Sequence, residues 1–461
     1  MPIAHTLIAA AALGAAAIDT AALDKNAPNA GFHASYSGTL RPSDPGDQGS
    51  ERSFRIHFLV TESIAGGASS VAWVLEDRSG NPRAAWPQRF GTVTFNRSLQ
   101  PSNDRELPSI PAERDGMTRA IGLRLPLWSS GDRLMPDARW EEGENRFEVM
   151  GRESVGGRRS WKVGIANRLG PREVVWIDEQ EGFVTRHREL VFLGQGVSHE
   201  LSLELEKSSQ LPGDELSRTA KAHTTLVNIR GQVKDKLSEL ADSAVPATNE
   251  RLQQARSAAG DIEMALGSGA YVQLAKDVVR ELQSAISSQE SLAKLSTQFV
   301  GKPAPAFSLK TARGDQVSLA DFKGKPLVLH FWEYRSEPKI APYGETGYLD
   351  FLWRQRQKQG IAVLGIAVDP RLRDETTRSA ARRDVRSFCD FMNLSYPVAF
   401  DDGTKKVVEA FGDPRSAGGK LPLYVVIGPD GVIAEYHPGS WSKSADEGLK
   451  ELDERLRKLL P

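Results

Sequence analysis

The 461 residues carry 59 Lys and Arg against 60 Asp and Glu, a formal net charge of -1, which excludes the basic footprint of a nucleic-acid-binding chain. Hydrophobic residues make up 39% of the chain, enough for packed cores and too many for global disorder, and the length predicts roughly two to four domains. The one cysteine, Cys389, excludes an intramolecular disulfide, and no two of the eight histidines have the close, shared-face spacing of a metal site, so neither metal nor cofactor is expected.

The first element is Leu7-Ile8-Ala9-Ala10-Ala11-Ala12-Leu13-Gly14-Ala15-Ala16-Ala17. This short apolar run ending in Ala-x-Ala fits the core and cleavage site of a secretory signal peptide, although no Lys or Arg precedes it. A membrane span needs about 20 apolar residues, and no stretch of this chain supplies them. Residues 1–30 are therefore read as a signal-like or flexible segment, and the protein as periplasmic or secreted.

Residues 31–211 read as an antiparallel β domain. Segments 33–40, 53–60 and 71–76 alternate apolar and polar residues, and strand-like runs follow at 146–149, 160–165, 173–177, 183–192 and 198–206. Period two with Gly, Asn, Asp and Pro between the runs predicts a sheet with one wet face, in a barrel, half-barrel or sandwich. Residues 100–115, rich in Pro and charge, predict a long loop. The hairpin stretch from Gly151 through Trp161, Trp176 and Phe183 to Arg186 resembles envelope half-barrel proteins similar to lipoprotein carriers. That resemblance implies an apolar ligand, and a plain β scaffold is the alternative reading.

Residues 212–297 form a helical module. Leu226, Val233, Leu237 and Leu240 make one stripe; Leu252, Ala255, Ala259, Ile262 and Leu266 a second; Leu274, Val278, Leu282 and Ile286 a third. Pro246 with Thr248, and Gly267-Ser268-Gly269, supply the breaks, which predicts a helical hairpin or a three-helix module.

Residues 298–461 have the α/β pattern. Runs 327–332 and 361–368 are nearly all apolar, as strands buried on both faces are, and helix-like stretches are predicted at 348–359, 375–393 and 445–460. Pro429-Asp430-Gly431 predicts a turn, since proline presets φ and glycine accepts positive φ. Several segments carry a family resemblance. Gly301-Lys302-Pro303-Ala304-Pro305-Ala306-Phe307-Ser308-Leu309 is followed by Val317-Ser318-Leu319-Ala320-Asp321-Phe322-Lys323-Gly324-Lys325. Then come the strand into Phe331-Trp332, Tyr396-Pro397-Val398, and Leu421-Pro422 before an apolar strand. In this order they resemble the TlpA/ResA branch of the thioredoxin superfamily, which shades into the alkyl-hydroperoxide-reductase family.

The resemblance implies a Cys-x-x-Cys motif in the loop Tyr334-Arg335-Ser336-Glu337-Pro338-Lys339, where the two cysteine places read Ser336 and Lys339. Disulfide exchange needs an attacking thiolate and a second sulfur, and these residues supply neither. Ser336 would need an adjacent base to act as a nucleophile, and it is read instead as a helix N-cap. Lys339 is read as solvated. The resemblance also implies that Pro422 is cis and faces this loop, and that Trp332, Tyr334, Pro338 and Pro422 line a groove for an extended peptide. Cys389 shares a helix face with Val385, Phe388 and Met392, which predicts an apolar, inert thiol rather than a catalytic one.

The sequence thus describes a multidomain α+β chain. It has an N-terminal antiparallel β domain, a central helical module and a C-terminal α/β thioredoxin-like fold. The leading reading is an exported thioredoxin-like binding or scaffolding module whose partner is another protein or a peptide, with no nucleic acid and no membrane span. An oxidoreductase or antioxidant protein using Cys389, and a carrier of an apolar ligand in the β domain, are the competing classes.

Overall fold

The computed structural model describes residues 29–43, 51–64, 68–78, 84–95, 101, 107–114, 117–123, 131–193, 198–233, 248–333, 345–402, 406–441 and 446–460. Two compact units emerge from the packing: Met1–Val227 with Ala259–Val278, and Asn228–Ala258 with Val279–Pro461. Three helices fall across this division: α1 (Gly213–Val233), α2 (Asn249–Leu266) and α3 (Ala270–Phe299). The predicted stripes Leu252, Ala255, Ala259 and Ile262, and Leu274, Val278, Leu282 and Ile286, are buried; Leu237, Leu240 and Pro246 lie outside the described residues.

Among the described residues the first unit holds twelve strands. They are β1 (Phe32–Pro42), β2 (Arg52–Ile64), β3 (Ala68–Asp77), β4 (Phe90–Phe95), β5 (Ser109–Arg114), β6 (Met117–Gly122), β7 (Arg139–Glu142), β8 (Asn145–Val155), β9 (Arg158–Asn167), β10 (Gly170–Asp178), β11 (Val184–Phe192) and β12 (Ser198–Gln210). Ten of them make one sheet in the order β4-β3-β2-β1-β12-β11-β10-β9-β8-β7, and β5 pairs with β6 apart from it. The large sheet is open, with β4 and β7 as edges. The turn at Gly156-Gly157, with φ of 56° and 80°, is a two-residue hairpin loop that only positive-φ residues accept easily.

Two apolar clusters cover this sheet. One gathers Tyr36, Phe54, Ile56, Trp73 and Leu203 with Ile110 and Ile121 of the small β5–β6 sheet; the other gathers Val149, Trp161, Val163, Val175 and Ile177. Two expectations need correction. The segment read as a loop at 100–115 contains β5, whose Pro111 disguised it; prolines are tolerated in such a marginal pair, where few ladder bonds are lost. The alternation expected at 71–76 is a continuous buried run from Val71 to Leu75, because β3 is covered on both faces.

In the second unit a five-stranded sheet has the order β17-β16-β15-β18-β19. Its strands are β15 (Leu327–Trp332), β16 (Ala362–Ala367), β17 (Val398–Phe400), β18 (Leu423–Ile427) and β19 (Ile433–Pro438), preceded by the hairpin β13 (Ser308–Lys310) and β14 (Gln316–Ser318). β15, β16 and β17 are parallel, β18 runs antiparallel to β15, and β19 runs antiparallel to β18.

Every residue of β15 is buried, and side chains alternate across it. Val328 and Trp332 join a cluster with Leu349 and Leu352 of α4 (Glu345–Arg356), Ala381 and Val385 of α5 (Arg378–Phe391), and Leu452 and Leu456 of α7 (Lys450–Arg457). Leu327, Leu329 and Phe331 join the opposite cluster with Phe307, Phe411 and Val408, the last on the short α6 (Val407–Ala410). The end of α3 closes that second face: Phe299 stacks on Tyr436 at 5.4 Å. Gly412, at φ 77°, makes room for it, since a Cβ there would come within 2.3 Å of the Phe299 ring. The last helix is shorter than the expected 445–460 because Gly448, at φ 61°, holds the chain out of helix before Leu449.

Candidate functional site

The end of β15 is where the sequence places its candidate loop. Ser336, Lys339, Tyr334 and Pro338 lie outside the described residues, as does all of 334–344. Trp332, the last residue of β15, is 5% exposed and packs against Phe388 with ring centroids 5.3 Å apart. The Leu421–Pro422 peptide is cis. Because Leu423 pairs with Phe331, Pro422 stands at the same end of the sheet as Trp332.

A chain of aromatic rings runs beneath this end, and the sequence reading did not single it out. His330 is the one polar residue of β15 and its cross-strand partner is Tyr424; their rings stack at 4.5 Å. Tyr424 meets Trp441 edge-on at 6.3 Å, and Trp441 stacks on His437 at 3.7 Å. Gly365, opposite His330 on β16, lets Tyr396 lie against the sheet, since a Cβ there would sit 3.0 Å from the Tyr396 ring. The signal available in the sequence was a histidine in the middle of an otherwise apolar, doubly buried run, because a buried polar group demands a partner.

Glu345, the first residue of α4, faces this aromatic group. Its carboxylate accepts a hydrogen bond from Ser440 Oγ at 2.9 Å and from the Trp441 backbone N–H at 3.3 Å. A carboxylate in the first turn is favoured by the helix dipole. Burial, with Glu345 beside it, pushes the Tyr424 hydroxyl well above the ordinary phenol range. Burial does the same to Tyr396, with Cys389 and Asp350 adding to it. Trp332 Nε1, Tyr396 Oη and Trp441 Nε1 are buried without a hydrogen-bond partner among the described residues. This end of the sheet therefore holds buried aromatic rings and hydrogen-bond donors around one carboxylate.

Cys389 is placed elsewhere, on α5 behind Tyr396. It is half-buried, packs on the same core as Phe388 and Met392, and borders a cavity of about 270 Å³ with Arg386, Tyr396 and Val398. Burial, reinforced by Asp390, pushes its thiol up to about 11, so little of it is thiolate at neutral pH. On the far side, Asp401 caps α6 by accepting from the Val407 and Val408 backbone N–H groups at 2.8 and 3.2 Å.

Residues 300–436 match the AhpC/TSA family. Thiol-disulfide oxidoreductase ResA of Bacillus thuringiensis is 30% identical over 162 residues, 35% of this chain and 79% of the relative. The chain belongs to this thioredoxin-like family. A second relative, the thioredoxin-like protein YneN of Bacillus subtilis, is 29% identical over 153 residues, 33% of this chain and 79% of the relative. Among solved structures, the thioredoxin domain of a thiol-disulfide oxidoreductase from Bacteroides vulgatus aligns with a TM-score of 0.27 at 21% identity, covering 35% of this chain and 98% of that one. The family membership and the sheet order together make the C-terminal part a thioredoxin-like domain of ResA/TlpA type. Among the described residues no helix is long and apolar enough to cross a membrane.

Proposed function

We propose that this chain is an exported thioredoxin-like protein whose dithiol site is degenerate, and that it binds an extended peptide or another protein instead of exchanging disulfides. The observation that carries this reading is the placement of the chain's one cysteine: Cys389 sits on α5, half-buried, with its thiol raised to about 11. A dithiol oxidoreductase attacks with one sulfur and resolves with another. The positions that would hold both by family resemblance are Ser336 and Lys339.

In this proposal the peptide groove implied by the family fold is kept while the dithiol is lost. Trp332 ends β15 and Pro422 precedes its neighbour β18, so both stand at one end of the two central strands, where an extended segment laid across the sheet end can take hydrogen bonds from the backbone beside Pro422. The buried donors Trp332 Nε1 and Trp441 Nε1 beneath it suit an environment with further polar groups close by. Export rests on the apolar run from Leu7 to Ala17.

Binding is tested with fluorescently labelled, S-carboxymethylated insulin B chain, an extended peptide with no disulfide to reduce. Fluorescence anisotropy is expected to show saturable binding to the full chain that weakens in Trp332→Phe. Absence of saturable binding, or binding unchanged in Trp332→Phe, would overturn the groove.

A further inference from the structure

The first unit contains a second built cavity that the family resemblance does not touch. It has a volume of about 310 Å³. Its floor is the face of β12, β1, β2 and β3 that carries His33 and His57, and its walls are the start of α1, the end of α2 and the first residues of α3. Strand pairing assembles the floor: His33 lies opposite Ser209, and Ser35 lies opposite both Lys207 and His57. Residues far apart in sequence thus meet on one face. The His33 and His57 rings stand parallel at 5.9 Å.

The electrostatics of this floor are lopsided. His57 turns its Nε2 toward Glu76 at 3.4 Å, and Arg55 ties Glu76 to Glu206, so those carboxylates are engaged at the side. His33 has no such partner in reach. Its pKa falls to about 4 through burial, His57 and Lys207, and no carboxylate offsets them. Lys207 has no carboxylate partner among the described residues. From α1 come Arg218 and Glu215. Arg218 is paired with Asp214 at 3.2 Å on the exposed side of the helix, a contact of the kind that breaks at little cost. The cavity is therefore lined by two cations and one carboxylate, with an apolar patch made by Leu59, Ala72 and Leu266.

We propose that this cavity binds a small organic carboxylate. Its charged end would lie between Lys207, Arg218 and His33, and its apolar end against Leu59, Ala72 and Leu266. A single negative charge matches Lys207, which has no carboxylate partner among the described residues, whereas a dianion such as phosphate would meet Glu215 and leave the apolar wall unfilled. The volume lies at the lower end of the range for small-molecule sites, roughly 300–1,000 Å³. The groups facing His33 are His57 from β2, Lys207 from β12, Glu215 and Arg218 from α1, and Tyr271 from α3. Among them only Glu215 is acidic, so a bound carboxylate changes the field at His33 and draws a proton onto it.

Isothermal titration calorimetry of the full chain with sodium benzoate, at pH 5.0 and 7.5 and constant ionic strength, tests this. One saturable site is expected, with affinity about tenfold higher at pH 5.0 because binding raises the His33 pKa. Lys207→Gln, an exposed change that leaves the core intact, is expected to weaken benzoate about tenfold. His33→Gln is expected to abolish most of the pH dependence while circular dichroism stays native. No saturable heat, equal affinity in Lys207→Gln, or inorganic phosphate binding more tightly than benzoate would overturn the proposal.

Discussion

The thiol of Cys389 offers a quantitative test of whether this chain has any reactive sulfur. With the pKa at about 11, thiolate makes up about 0.1% of Cys389 at pH 8, against about 24% for an ordinary thiol near 8.5, a deficit of about 240-fold. The more basic thiolate is intrinsically more nucleophilic: over about 2.5 pKa units and a Brønsted slope of about 0.4–0.5 it recovers roughly 10- to 18-fold. The net expectation is a native-state reaction with the disulfide reagent DTNB about twentyfold slower than in the urea-unfolded chain, before any shielding by Tyr396 and Phe388. The assay is pseudo-first-order release of thionitrobenzoate from pH 7 to 11.5, in buffer and in urea. The native rate should keep rising with pH to the top of that range. A native rate equal to the unfolded rate, or an inflection below about pH 9, would refute the assignment of burial as the dominant influence and reopen Cys389 as a redox thiol.

Three further outcomes probe the packing. Leu452 is fully buried between α7 and the sheet, and Leu452→Ala should cost about 2–5 kcal/mol in urea unfolding by leaving a cavity. Asp277 pairs with Arg89 at 2.8 Å with both side chains largely buried, and Asp277→Ala should destabilise the first unit by about 3–5 kcal/mol, read as loss of its thermal transition, because it strands a buried guanidinium. Burial alone would raise Asp453, but hydrogen bonds from Arg356 and Arg457 hold its carboxyl below the ordinary range. A depressed native pKa gives stability that is present above the unfolded value, near 3.9, and lost as pH falls through the native value. Asp453→Asn should therefore lower the urea midpoint at pH 7, and wild type and variant should converge near pH 2.

The C-terminal fold was legible because its signals are local. The apolar runs at 327–332 and 361–368 could only be strands covered on both faces, and they are β15 and β16. The β domain was legible as antiparallel but not as one ten-stranded open sheet, since pairing of β1 with β12 joins segments more than 150 residues apart and leaves no mark in either. β5 was hidden by Pro111 and its charged neighbours. The same non-locality hid the aromatic chain from His330 to His437: Trp441 reaches Tyr424 only after β18 and β19 fold back. The His33–His57–Lys207 floor likewise exists only through strand register. The placement of Cys389 was partly legible: its helix face packs on the core, while the cavity beside it depends on Tyr396 and Val398 from the following segment.

Whether the thioredoxin-like domain persists without dithiol chemistry is measured directly by an insulin disulfide-reduction assay. Wild type, Cys389→Ser and the double change Ser336→Cys with Lys339→Cys are compared under dithiothreitol recycling. Wild type and Cys389→Ser are expected to match the reagent-only rate and the double variant to exceed it. Reduction by wild type that Cys389→Ser abolishes would contradict the account and make the chain a one-cysteine redox enzyme.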